Sequence, residues 1–499
     1  MAFAAASPAA ATPAAQVITA TFGADVANVA VIHTGSAIAN VTSVLNGRVA
    51  QITVEPRAPS QVGAGALTGT VAITGYFCAD ASCSRVEAGN SQTVNVSYQI
   101  SPVVNFVAPY VGIAGVSATA SVRGAGFLGF AIRGVTFGTT ASTAITVVSD
   151  TELLATFPAL AAGTYPVQLD IPTHQGSVPS TAAMQVVAAP VYAAQALTYP
   201  AAITAVRSLV YDAERAALLV GTDAGDGTIL RYPYTGGAWG APSSAAVAQL
   251  QDTSLSIDGA QLLAATRTGI TPVDPATLTL GTAVAAPDPT ADSFVKNVAI
   301  TNTNTAIVTT GVARSESTKV YAYDVNSATF TESGTLLNNA TPGVPRNGSI
   351  VMLITGDPSL TTAPSLFAYS ASTNSIGATT VSLNQNSIAP VLDRDGARLA
   401  LNGLNVYAGD FTLLGTLPAT TLAVAFKPDG TSAYTYDSAA AAVLTFDTSV
   451  TRDGAALPQV GAAVPLAADP GAGVKMIISP DGGTLFLAGA TQIVIQPTP

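Results

Sequence analysis

Residues 428–447 read PDGTSAYTYDSAAAAVLTFD, and the next such turn begins at residue 480 with PDGGTLFLAG. Each stretch starts with an Asp-Gly turn and continues into an alternating apolar strand: Ala433-Tyr434-Thr435-Tyr436 in one, Leu485-Phe486-Leu487 in the other. In the first, a further strand, Ala442–Phe446, ends on Asp447. Asp-Gly supplies the left-handed backbone that tight hairpins require, so each stretch predicts two or three antiparallel strands. Moving toward the N-terminus, the same grammar recurs around Asp395-Gly396, Arg346-Asn347-Gly348, Asn302 to Asn304, Asp258-Gly259 and Asp212. From Asp212 to Asp481 the markers recur every ~45 residues, the length of one four-stranded unit in radially repeating β proteins.

Residues 190–499 are therefore expected to form a seven-bladed β-propeller. The last unit offers strands near 474–479, 484–488 and 492–496, but no fourth. An open blade would leave an exposed sheet edge. Residues 191–198 are expected to fill it and so close the ring. The Pro-Asp-Gly turn with a later strand ending in Asp resembles the YVTN-type and related seven-bladed propellers, most clearly in the two C-terminal units.

Upstream, period-two patterns such as Val49–Val54, Leu67–Ile73 and Thr93–Ile100 predict an antiparallel sandwich over residues 17–101. Cys78 and Cys83 flank a four-residue loop between two of its strands. A disulfide closing so short a loop stabilises by about 2 kcal/mol and implies an oxidising compartment. A redox pair or metal site is the alternative, but neither CxxC spacing nor nearby His supports it. The pattern Cys78-x-Asp80-x-x-Cys83, followed by Gly89-Asn90-Ser91 and Val94–Tyr98, resembles immunoglobulin-like domains of bacterial surface proteins.

Residues 102–189 carry Gly124-Ala125-Gly126-Phe127, Val135-Thr136-Phe137-Gly138 and Gly163-Thr164-Tyr165-Pro166-Val167, then the tail Thr173–Val178 leading to Met184–Val187. This order resembles the IPT/TIG domain, which implies a second immunoglobulin-like sandwich. It implies a module and not a reaction. The gap between Phe127 and Val135 departs from the family and predicts an extended strand or loop there. The expected fold class is thus all-β, two tandem immunoglobulin-like sandwiches followed by the propeller. Residues 1–16, MAFAAASPAAATPAAQ, are Ala/Pro-rich and uncharged. They are expected to be a disordered leader or linker, the tail of a signal peptide and an extension inserting into a neighbouring subunit being the alternatives.

The composition narrows function. The 499 residues hold 2 Cys and 2 His and carry a net charge of −11. Acidity argues against nucleic acid as a partner. Only 9% of residues are charged, against about 25% in ordinary soluble domains. No apolar run is long enough for a transmembrane helix. His33 and His174 have no nucleophile in their own motifs, and the propeller region holds no His. The chain is therefore expected to be no enzyme, with no catalytic residue, cofactor or metal site. Asp223–Gly227 and Asp393–Gly396 offer carboxylates but lack the spacing of a calcium loop. Trp239, the single Trp, is either a candidate partner contact or the start of the outer strand of the first blade, packed on its neighbour. Asn-x-Ser/Thr triplets stand at Asn40, Asn95, Asn339 and Asn347.

These features predict a non-enzymatic extracellular or cell-surface protein, the periplasm being the alternative compartment. Its work would be binding, adhesion or assembly. The sandwiches would act as stalk and the propeller as head, the partners being protein or glycan at a cell surface or copies of the chain in a filament or matrix. The rivals are a propeller enzyme of lactonase or lyase type and a carbohydrate-binding protein.

Overall fold

The computed structural model of the chain describes residues 1–174, 178–189, 191–287, 293–312, 318–337, 339–355, 365–370, 374–379, 390–401, 405–418 and 421–499. Residues 175–177 of the expected IPT/TIG tail, and residue 190, lie outside them. The described residues are nearly all strand and turn.

The first sandwich has two sheets. One runs Ala2–Ala5, Gln92–Ile100, Gly65–Cys78, Asn28–Gly35, and the other Gln16–Thr21, Val49–Pro56, Ile38–Asn46. Ala50, Ile52, Val54, Val71, Ile73, Val96, Tyr98 and Ile100 form the core between them. The buried residues alternate along these strands, as a half-solvated antiparallel sheet requires. The leader departs from expectation. Ala2–Ala5 pairs in parallel with Ser97–Ile100, and Phe3 and Ala5 are buried. Composition had suggested a chain too poor in apolar surface to order. Phe3 alone supplies a large apolar face, and its ring packs edge-on to Tyr98 at 6.1 Å.

Cys78 and Cys83 form the expected disulfide. Asp80 organises the loop they close. Its carboxylate accepts hydrogen bonds from the backbone N–H groups of Ser82, Ser84 and Arg85 and from both serine hydroxyls. These donors, Ser84 foremost, hold its pKa far below the usual carboxylate range.

Between residues 103 and 187 two further sheets follow. Their strand orders are Ala144–Ser149, Glu152–Phe157, Ala118–Ala125, Val103–Ala108 and Val111–Ile113, Ala183–Val187, Gly163–Asp170, Gly134–Phe137, Thr140–Ala141. After Phe127 a 3₁₀ turn at Phe127–Gly129 leads into irregular chain over residues 130–133. The chain divides into two compact units. Unit 1 comprises Met1–Phe106, Val122–Thr156 and Pro166–Ala183, and unit 2 comprises Val107–Ser121, Phe157–Tyr165 and Met184–Pro499.

Unit 2 contains the propeller. From Val206 onward, seven sheets follow one another, each built from consecutive strands, with the last completed from upstream. We number them as blades 1 to 7, beginning at Val206–Asp212, Leu250–Leu255, Ser293–Ile300, Thr341–Gly343, Val391–Leu392, Thr421–Phe426 and Lys475–Ile478. The second strands Ala217–Thr222, Leu262–Thr266 and Thr484–Ala488 are buried along their whole length. A strand covered on both faces reads as a continuous apolar run, which is how these segments read in sequence.

Seven apolar clusters lie one at each seam between successive blades. The seam between blades 7 and 1 closes the ring. There Gln195–Thr198 pairs antiparallel with Gln492–Ile495. The closing strand is shorter than the expected 191–198: Tyr192 joins the seam through its buried side chain instead. Tyr192, Tyr211, Tyr234, Trp239 and Phe486 form one aromatic cluster, with Tyr192 centred 4.5 Å from Tyr234 and 5.0 Å from Trp239.

Candidate functional site

The innermost strand of each blade has one edge without a neighbouring strand, so its backbone groups must find partners across the channel that the ring encloses. Side chains of adjacent blades supply some of them. Asp252 Oδ2 in blade 2 accepts from Val298 N of blade 3 at 3.2 Å, and Ser254 Oγ accepts from Ile300 N at 3.2 Å. A bulge between Val295 and Asn297 precedes that contact, and matching bulges open the inner strands of blades 1, 2 and 6.

The channel holds a cavity of about 490 Å³, within the size range of small-molecule sites. Every blade contributes to its wall, with Leu209, Ile257, Val344 and Phe426 among the apolar residues. At one end lie the turns between first and second strands. Tyr110, on the loop between Ala108 and Val111, reaches the turn of blade 2, and its ring and hydroxyl occupy the space a Cβ at Gly259 would need. With φ at +67°, Gly259 is required twice over, for its left-handed backbone and for this approach. The Tyr110 hydroxyl is buried without a hydrogen-bond partner, and burial pushes its pKa up. Asn302 of blade 3 donates to Ser121 Oγ at 3.3 Å.

The charges of the channel wall fall into two groups. Arg346, Asp393 and Arg394 sit at the turn end. Arg394 is tied to Asp395, Nη2 to Oδ2 at 2.8 Å. Burial pulls the Arg346 guanidinium down to about 10. Farther along the channel, burial pushes the Asp252 carboxyl up to about 6, against the pull of Lys475 and its hydrogen bonds from Val298, Asn297 and Thr253. The sign of the resulting pH dependence is fixed. The ordinary value is 3.8, so between about pH 4 and 6 Asp252 holds a proton in the folded chain that it releases in the unfolded one, and its contribution to stability falls as pH rises through that window. Asp252→Asn is expected to raise the thermal midpoint at pH 8, to leave it nearly unchanged at pH 4 and to flatten the slope between. A wild-type midpoint that rises steadily from pH 4 to 6, with the variant following it, would contradict this.

Other residues singled out in the sequence stand apart from the channel. Trp239 packs in the ring-closing seam; it pairs back on Tyr234 and precedes the outer strand Ser243–Ala246 instead of beginning it. Asp223 is engaged by the Thr204 hydroxyl and by the backbone N–H groups of Thr204 and Ala205. Among the described residues no cluster of three or more His, Cys, Asp or Glu is placed to hold a metal. His33 is exposed on the strand Asn28–Gly35, opposite Val71.

His174, in contrast, meets a hydroxyl that its own motif does not contain. Its Nε2 lies 2.9 Å from Ser101 Oγ, and its ring is edge-on to Phe130 at 5.6 Å. Which of the two donates depends on the imidazole tautomer. Sequence reasoning missed the pair because the partners are 73 residues apart. It missed Arg346 for another reason: that residue was visible only as a turn marker.

No family model matches the chain, and no curated protein matches it. Among solved structures the chain is similar to Kuenenia stuttgartiensis hydrazine synthase, at 14% identity over 60% of this chain and 97% of that one, with a TM-score of 0.46. It is similar to the β-propeller domain of Myceliophteria thermophila Cps50 (Swd1), at 12% identity over 61% and 99%, with a TM-score of 0.45. The Dos1 propeller is similar at 12% identity over 59% of this chain and 78% of that one, with a TM-score of 0.43.

Proposed function

We propose that the chain is a non-enzymatic extracellular protein of a bacterial cell surface, and that it works by binding or assembly. In this reading the immunoglobulin-like and IPT/TIG sandwiches are spacer modules and the propeller is the presenting module. The partners are a surface protein, a glycan or further copies of the chain in a filament or matrix.

The observation that carries the reading is the Cys78–Cys83 disulfide, seated in a loop that Asp80 organises. Disulfides persist in oxidising compartments, which favours the exterior over the cytosol. The first sandwich adds support for assembly. The outward face of its three-stranded sheet presents Val17, Thr19, Thr42, Val44, Asn46 and Gln51. None of these six bears a charge, although the exposed Glu55 shares their face and accepts from Asn40 at 3.4 Å, so covering the six costs less than covering charged side chains.

Electron cryo-micrographs of the native cell surface, taken beside the purified full chain, test the proposal. Ordered fibres with one subunit repeat, or density for the chain bound at the surface, are the expected results. A chain confined to the cytosol with Cys78 and Cys83 reduced would overturn it.

A further inference from the structure

Arg346 is a feature of unit 2 that the ring itself does not explain. The residue lines the channel cavity, yet its guanidinium makes no hydrogen bond or ion pair with any described residue. An arginine keeps its charge even when buried, and an uncompensated buried charge destabilises a fold. The groups that act on it electrostatically are Tyr110, Tyr211, Arg394 and Asp481. Two are neutral hydroxyls and one is a like charge. Asp481 lies outside ion-pair distance. The residue is half-buried and lines the cavity. Such a group fits a site whose counter-charge arrives with a ligand.

We propose that the propeller channel binds an organic monocarboxylate, with Arg346 pairing to the carboxylate and the apolar wall receiving the rest of the molecule. A planar guanidinium matches a carboxylate in two parallel hydrogen bonds. Leu209, Ile257, Val344 and Phe426 provide the surface for an apolar body. A phosphate dianion fits less well. The other arginine of the wall, Arg394, is already bonded to Asp395, and Asp252 and Asp393 add negative charge. The inference concerns the interior of the ring and holds independently of what the protein's outer surface binds.

The test uses the full chain, with benzoate as probe and its neutral isostere benzamide and inorganic phosphate as comparisons. Benzoate is expected to bind at one site per chain by calorimetry and to raise the thermal midpoint. Benzamide is expected to bind at least about tenfold more weakly, and Arg346→Met to weaken benzoate by at least about tenfold, the worth of a charge-assisted pair. Without ligand, Arg346→Met is expected to keep or raise the midpoint, because it removes a charge that has no partner among the described residues. That second readout separates a lost site from a lost fold. The proposal is overturned if the empty variant melts several degrees lower, which makes Arg346 a structural cation. It is also overturned if benzoate fails to bind, binds no better than benzamide, or is outcompeted by phosphate.

Discussion

Replacing Phe486 by Ala is expected to destabilise the propeller by about 3–5 kcal/mol, the range for truncating a large aromatic in a packed core. Phe486 is fully buried, with its ring 4.9 Å from Tyr211 and 5.8 Å from Tyr192. It belongs to the second strand of blade 7 and touches the first strand of blade 1, so its loss falls on the seam that closes the ring. Trp239 lies 6.0 Å away in the same cluster and is the single Trp of the chain. Its emission in a urea titration therefore follows this seam directly. The transition is expected at lower urea with a red shift of the native spectrum. Leu128→Ala, at a side chain 69% exposed in unit 1, is the control and leaves the transition in place. A loss below about 0.5 kcal/mol, the level of an ordinary surface change, would mean that the seam is open in solution.

The second large effect lies in unit 1. Arg123 and Glu152 form an ion pair, Nη1 to Oε2 at 2.8 Å, with side chains only 6% and 7% exposed. Removing one partner strands the other's charge in a low-dielectric interior. Glu152→Ala is therefore expected to cost about 3–5 kcal/mol. Replacing both by Met removes the stranded charge while keeping apolar volume, and is expected to return close to the wild-type midpoint in scanning calorimetry of the full chain. If the double variant is as unstable as the single one, the side chains matter for packing and not for their mutual charge.

The propeller was legible because its turns are chemically constrained. Asp429-Gly430 and Asp481-Gly482 place Gly at positive φ, and no other residue type does so as cheaply. The closing strand was legible by counting, since blade 7 lacked a fourth strand. What escaped were features made by ring closure or by contact between distant residues. Arg346 reads as one more turn residue until the seven blades converge on a common channel. Arg123 and Glu152 drew no reading from the sequence, because nothing local tells a buried charge from a solvated one. Ser101 and His174 meet only once the fold has formed. The leader was misread for a different reason. Average composition concealed the alternation of Phe3 and Ala5, which matters more to ordering than the surrounding Ala and Pro.

The closing strand also bears on how the ring carries load. Gln492–Pro497 lies between two neighbours, Thr484–Ala488 on one side and Gln195–Thr198 on the other. Tension entering through that strand cannot peel it from a free margin. It must shear two hydrogen-bonded ladders together, one of them anchored more than 280 residues upstream. A pull at this end of the chain is thus shared with the segment leading into the ring, and the blade behaves as a mechanical clasp.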